Sequence, residues 1–259
     1  MRTRRYLFAL VILLSVCTAL FAGGSKESKG SSLSFGTYSN ASQYNIGDAV
    51  IDPSYVKSLD VNWVSGSISV IYGNVRGIEI SETSDKGPIP EDEQMRWYVD
   101  NGVLRIQFLK SGLNLTTTRN KDLKVVVPKN VDFAEVEIGT VSSDAVVNVE
   151  ASVYDFEGVS ADFTLECSSV ARIDVETVSG KIEVRAKACP SKLDFESVSG
   201  DMKLFVPSSS GFTATFGSVS GKMNCTIPVT LSGKKYIAGD GKADFDFDTV
   251  SGDVTVSAI

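Results

Sequence analysis

Residues 172–206 read RIDVETVSGKIEVRAKACPSKLDFESVSGDMKLFV and contain one unit twice. Apolar side chains alternate at Ile173 and Val175, V-S-G follows at 178–180, and alternation resumes at Ile182, Val184 and Ala186. Leu193, Phe195, the V-S-G at 198–200, then Met202, Leu204 and Val206 repeat the pattern. Strict alternation is a strand signal, because successive strand side chains face opposite sides. Each unit therefore reads strand, tight turn at Ser-Gly, strand, loop. Outward from this stretch, V-S-G or a near variant recurs at Val64, Val141, Val159, Val219 and Val250. From Val141 to Val219 the steps are 18, 19, 20 and 21 residues. A unit of about 20 residues with two short strands cannot bury its apolar face alone, whereas a stack of them shares one interior. The expected fold is all-β: a single-domain β-solenoid with two facing sheets of stacked parallel strands, one coil per unit, right-handed as parallel crossovers are. An antiparallel sandwich or a propeller of hairpins is the competing architecture. The turn glycine is expected to supply positive φ and the motif serine to bond local backbone.

The pattern is interrupted in three places. Residues 122–128 align with 201–207, so a coil lacking V-S-G turns near residues 119–121. Residues 81–93, SETSDKGPIPEDE, read as a protruding polar loop, followed by strands over 95–99 and 103–109 that Asp100-Asn101-Gly102 joins as a hairpin. The 31-residue step from Val219 to Val250 holds an excursion over 231–242 that returns through Gly239-Asp240-Gly241. No helix of useful length is expected.

The chain has 259 residues and no histidine, which removes imidazole bases, Ser-His and Cys-His nucleophile pairs and the usual zinc sites. Residues 1–5 form a basic n-region and residues 6–16 an apolar run of signal-peptide length. Two processing sites compete: cleavage after Ala22, giving a signal peptide over 1–22, or lipidation at Cys17, since Leu14-Ser15-Val16-Cys17 resembles a lipobox. Residues 23–32 form a flexible polar linker under either reading, and residues 33–259 the repeat domain. Removing residues 1–22 takes away three Arg and no acid, leaving 22 basic against 32 acidic residues, a net charge of −10. A chain that acidic is not expected to bind nucleic acid, or a membrane except through a lipid anchor.

Several linked segments resemble a known group, the bacterial putative-adhesin family: residues 59–70 (LDVNWVSGSISV), 121–144 (KDLKVVVPKNVDFAEVEIGTVSSD), the TVSGK, SVSGD and SVSGK repeats, and 239–256 (GDGKADFDFDTVSGDVTV). The resemblance spans residues 50–259. It implies an exported or membrane-anchored β-solenoid-like domain of unknown function with no known catalytic residues.

Among candidates for chemistry, Cys167 and Cys225 fall at inward positions and read as small buried hydrophobes. Cys189, in a turn one coil beyond Cys167, could form a disulfide with it, and the odd count leaves at least one free thiol. The motif serines lack a histidine base and read as turn residues. The acidic pattern is more informative. Four and two places before the motif valine lie Asp155 and Glu157, Asp174 and Glu176, Asp194 and Glu196, then Thr215 and Gly217, then Asp246 and Asp248. In a parallel stack they form two outward carboxylate ladders about 4.8 Å apart from coil to coil. Either a solvated acidic face or a site for Ca²⁺ or a cationic partner follows, with Arg172 and Lys192 placed to offset part of the charge. Three places after the valine the charges alternate, Asp162, Lys181, Asp201, Lys222 and Asp253, which reads as structural pairing between adjacent coils.

Together these features point to a non-enzymatic exported cell-envelope protein, in the periplasm, at the cell surface or secreted, acting as a binding or scaffold module on an envelope partner. The alternatives are a polysaccharide-active β-helix enzyme, which needs a unique acid cluster that breaks the period, and an accessory domain of an envelope-stress system, which the family resemblance allows.

Overall fold

A computed structural model describes residues 36–112 and 119–259; the expected signal peptide, the expected linker and Cys17 lie outside these. Two edge strands, β1 (Asn45–Ile46) and β2 (Ala49–Ile51), precede β3 (Ser58–Gly73), a 16-residue strand that turns at its Val-Ser-Gly and serves both sheets. β4 (Ile78–Ser84), the hairpin β5 (Arg96–Asp100) and β6 (Val103–Gln107), β7 (Lys121–Pro128) and the second long strand β8 (Phe133–Asn148) follow. Three coils come next: β9 (Ala151–Ser160) with β10 (Phe163–Cys167), β11 (Arg172–Ser179) with β12 (Lys181–Ala186), and β13 (Lys192–Ser197) with β14 (Asp201–Val206). The chain ends with β15 (Phe212–Ser218), β16 (Met223–Cys225), the hairpin β17 (Thr230–Ser232) and β18 (Lys235–Ala238), then β19 (Ala243–Thr249) and β20 (Val254–Ala258). The only helices among the described residues are 3₁₀ turns at Ala41–Gln43 and Pro53–Tyr55.

The expected coils are present and stack in parallel. The first sheet runs β6, the first half of β3, the first half of β8, β9, β11, β13, β19, β15. The second runs β7, the second halves of β3 and β8, β10, β12, β14, β20, β16. The alternating apolar residues line one interior between them, with Phe156 of one sheet stacked on Phe163 of the other at 5.0 Å between ring centroids.

Spatial order departs from chain order at both ends. The β6–β7 coil follows β3 in sequence but stacks outside it, so β3 lies between β7 and β8. At the other end the last coil, β19–β20, inserts between β13–β14 and β15–β16. Burial explains the second exchange. β19 carries Phe245 and Phe247, both 0% exposed, and gains most from neighbours on two sides, whereas Phe216, Met223 and Cys225 of the displaced coil pack only partly. Antiparallel strands cover the edges: β5 on β6 and β1 on β5, β4 on β7 and β2 on β4, β18 on β15 and β17 on β18. Covered or short edges leave few unpaired backbone groups to template aggregation.

The turn chemistry differs from expectation in two respects. Gly66 and Gly180 have positive φ, 105° and 128°, but Gly221 and Gly252 are required for room: a Cβ there would lie 2.0 Å from the Gly252 carbonyl oxygen and 1.9 Å from that of Gly200. The glycines thus form a column where adjacent coils touch backbone to backbone. The motif serines do not bond locally. Ser142, Ser179, Ser199 and Ser251 donate to the motif-valine carbonyls of the neighbouring coil, Val64, Val159, Val178 and Val198. Local capping comes from the residue before the valine, whose hydroxyl oxygen accepts an N–H three residues on: Thr140 from Ser143, Ser197 from Gly200, Ser218 from Gly221 and Thr249 from Gly252. The sequence signal was a Thr or Ser preceding V-S.

The segment read as a loop over 81–93 begins as strand, since β4 extends to Ser84. Its remainder is pinned by three cations. Arg96 donates to the Glu91, Gln94 and Met95 carbonyls, Arg119 pairs with Glu93 at 3.0 Å, and Lys121, 1% exposed, pairs with Glu82 at 2.7 Å. The Lys121 ammonium also bonds the Glu93 and Phe108 carbonyls and lies 4.2 Å from the Phe108 ring centroid. The hairpin at 100–102 forms as expected, with Asn101 and Gly102 both at positive φ. The excursion before Val250 is the β17–β18 hairpin, and Gly239 and Gly241 at positive φ turn the chain back.

Candidate functional site

The outer face of the first sheet carries the acids. Strand register places Asp60, Glu137, Asp155, Asp174, Asp194 and Asp246 side by side across six coils, with Arg105 at one end and Thr215 at the other. Five steps of about 4.8 Å make the row roughly 24 Å long. A parallel row holds Gln107, Asn62, Gly139, Glu157, Glu176, Glu196, Asp248 and Gly217. The six residues expected as a cation face, Asp155, Glu157, Asp174, Glu176, Asp194 and Glu196, are therefore neighbours as the periodicity required. Asp60 and Glu137 were missed, although they too stand four places before a motif valine, Val64 and Val141. Arg105 gave no signal, because its coil lacks the motif.

These side chains point outward yet are half-buried, and Asp60 is buried, because each has a neighbour on both flanks. Burial, reinforced by Asp174 and Glu176, pushes Asp155 up to about 7. Burial with Asp60 and Asp155 does the same to Glu137, also to about 7. Asp60, Asp174 and Glu176 are raised as well, each mainly by burial. Taking a carboxylate out of water disfavours its charged form, and a like charge on the next strand adds to the cost. At neutral pH the row therefore carries less negative charge than its count of acids, and protonation relieves part of the repulsion.

Basic residues relieve another part, as expected from their positions. Arg172 Nε lies 2.5 Å from Asp174 Oδ2, and Lys192 Nζ 2.5 Å from Asp194 Oδ2, while Arg105 pairs with Asp60. Asp174 stays raised despite its partner, since burial outweighs the guanidinium and Oδ1 is buried with no hydrogen bond. Among the described residues no group of three or more His, Cys, Asp or Glu side chains converges in a metal-holding arrangement. Carboxylates on successive strands project in parallel, and a calcium shell needs oxygens that close around a point.

Each end of the row opens into a cavity roofed by chain from outside the stack. At the tail, the β17–β18 hairpin brings Lys234 and Tyr236 over Glu196, Asp246 and Asp248 around 440 Å³. At the head, residues 37–44 cover 350 Å³ whose lining includes Tyr44, Tyr98, Asp60, Asn62, Gln107 and Glu137.

The alternating row is corrected. Insertion of the last coil places Asp253 beside Asp201, two like charges, and Lys222 beyond Asp253. The carboxylates act on backbone instead. Asp144 accepts from the N–H of Asp162 at 3.0 Å, Asp162 from Lys181 at 2.7 Å, Asp201 from Asp253 at 2.8 Å and Asp253 from Lys222 at 2.8 Å. The row is structural, as expected, through coil-to-coil hydrogen bonds. The three described cysteines are free thiols, Cys167 buried and Cys189 and Cys225 half-buried, so the Cys167–Cys189 disulfide is not formed.

No helix among the described residues is long and apolar enough to cross a membrane. A search of curated proteins finds no match to the chain. Four solved chains match it, among them two bacterial proteins. One, described as a "putative cell adhesion protein" from Clostridium sporogenes ATCC 15579, is 15% identical, with a TM-score of 0.48 over 83% of this chain and 100% of that one. The other, described as a "putative adhesin" from Bacteroides fragilis NCTC 9343, is 11% identical, with a TM-score of 0.45 over 91% of this chain and 100% of that one. A family model covers nearly all of the repeat domain, residues 43–257, and by that match the chain belongs to the Toastrack DUF4097 family.

Proposed function

We propose that the protein is an exported, non-enzymatic cell-envelope protein, a binding or scaffold module whose working surface is the carboxylate face of the first sheet. Export rests on the basic and apolar start of the chain, with release after Ala22 or anchoring through Cys17. The observation that carries the binding role is the unbroken register of acids from Asp60 to Asp246. A ladder that regular offers one acceptor per coil, which suits an extended cationic segment, such as a Lys-rich stretch of an envelope protein, better than a compact ligand. Calcium is the alternative occupant.

Purified protein titrated with a lysine-rich peptide should bind in a salt-sensitive manner, more tightly at pH 8 than at pH 6 as Asp155 and Glu137 lose their protons. The combined variant Asp155→Asn, Asp174→Asn, Asp194→Asn should abolish that binding while remaining folded. Equal binding by wild type and variant would remove the face from the proposal. A calcium titration followed by Tm distinguishes the occupants, since a ligand of the native state raises Tm. A shift at millimolar calcium that the triple variant lacks assigns the face to the ion.

A further inference from the structure

The cavity at the head of the row is chemically unlike the rest of the face. Along the ladder the same acid recurs coil after coil; here the period breaks, and Arg105, Gln107, Asn62, Asp60 and Glu137 meet under a roof of tyrosines. The roof is fixed in place. Tyr38 donates its hydroxyl to the Leu109 carbonyl, and the same oxygen accepts the Ser111 N–H at 3.1 Å. Tyr44 packs between Tyr38 and Tyr98 at tilted angles, 51° and 44°, with ring centroids 4.6 and 5.6 Å away.

Beneath the roof Asp60 is partnered within the protein, whereas Gln107 is not. Asp60 is engaged by Arg105 and by Asn62 Nδ2 at 2.7 Å. Gln107 is 7% exposed and lines the cavity, yet its side-chain amide forms no hydrogen bond with any described residue. That amide is not sealed from solvent, so its two donors and its acceptor face whatever enters the cavity. Glu137 stands in the same cavity with its affinity for a proton raised, so at neutral pH it offers a donor as well as an acceptor for part of the time.

The mixture of groups selects the ligand. A simple anion is opposed by Asp60, Asp100 and Glu137, and a simple cation leaves the donors of Gln107, Asn62 and the tyrosine hydroxyls unused. A sugar hydroxyl both donates and accepts, and the C–H face of a pyranose packs against an aromatic ring. The volume, 350 Å³, is at the small end of ligand pockets, which run from about 300 Å³ upward, so it suits one or two rings of a chain.

We propose that this cavity is a binding site for a neutral saccharide, with Gln107 reading a hydroxyl pair and the Tyr98 ring, backed by Tyr44, forming the apolar wall. This deepens the proposed binding role by giving the head of the face its own ligand class, and it does not require the ladder to bind anything.

The test is a titration of the purified protein with a panel of neutral mono- and disaccharides, N-acetylated hexosamines included, followed by ligand-observed NMR and calorimetry. At least one sugar should bind with a Kd on the order of 1 mM or tighter. Gln107→Leu should weaken it at least tenfold, while the ladder variant Asp174→Asn leaves it unchanged. Should Gln107→Leu fail to fold, Tyr98→Ala, at a half-buried edge position, carries the same expectation. Failure of every sugar in the panel, binding that is indifferent to the head variants, or saturation of the cavity by an alkylammonium salt instead would each overturn the proposal. The lysine-peptide experiment reads the ladder separately, so either result stands without the other.

Discussion

Asp155→Asn should stabilise the protein, by an amount that grows as pH rises from near 4 to near 7. Asp155 sits mid-row between Glu137 and Asp174, and its pKa rises from 3.8 to about 7 in the fold, mainly through burial. An acid whose pKa is raised by folding holds its proton more tightly in the native state. Stability is therefore lost as pH climbs from near 4 to near 7, and the full cost is present above 7. At about 1.4 kcal/mol per pH unit the displacement corresponds to roughly 4 kcal/mol. Glu137, Asp174 and Glu176 share the same repulsion, and the side chain keeps contact with water, so about 2 kcal/mol is the expected gain on replacing it with isosteric Asn. For a domain of this size that is a rise in Tm of about 4–8 °C at pH 8. At pH 3, below the pKa of the side chain in both the native and the unfolded state, the two proteins should melt within about 1 °C of each other. Thermal unfolding by circular dichroism at both pH values and constant ionic strength measures the difference, and added salt at pH 8 should narrow it. A variant less stable than wild type at pH 8, or one with the same gain at pH 3 as at pH 8, would refute the reasoning.

Two further perturbations probe the scaffold. Gly252→Ala places a Cβ 1.9 Å from the Gly200 carbonyl oxygen and should cost about 1–3 kcal/mol or more by forcing two coils apart; Gly87→Ala, at positive φ in open space, should cost only about 1 kcal/mol, and equal losses in urea unfolding would deny the glycine column its role. Glu82→Gln strands the buried Lys121 ammonium and should cost about 3–5 kcal/mol, with Lys121→Met in the same chain returning much of it, as a double-mutant cycle would show.

The repeat was legible because a parallel stack forces every coil into one register, and one register leaves the same side chain at the same place in each unit. Ile173, Leu193 and Phe245 recur as the inward residue, and Asp174, Asp194 and Asp246 as the outward one, for that single reason. The carboxylate ladder was readable on the same grounds, including Asp60 and Glu137 had the count been carried back to Val64 and Val141. Other features had no local signature. Lys121 is buried because Glu82, 39 residues away, and two distant carbonyls meet its ammonium. Nothing in the residues around position 121 distinguishes it from a solvated lysine.

By itself the sequence determined the all-β class, the two-strand coil, which faces are apolar and which residues form the acidic rows, since all of these follow from alternation and period. Only the tertiary structure decided the order of the coils, with β19–β20 inserted beside β13–β14 and β6–β7 stacked outside β3. Coils built to one pattern are interchangeable partners for hydrogen bonding, so pairing is settled by what each exchange buries, and that depends on side chains far apart in the chain. The head cavity has the same origin. Its roof, floor and unmet amide come from residues 37–44, 60–62, 98–107 and 137, four segments that meet only once the stack is closed.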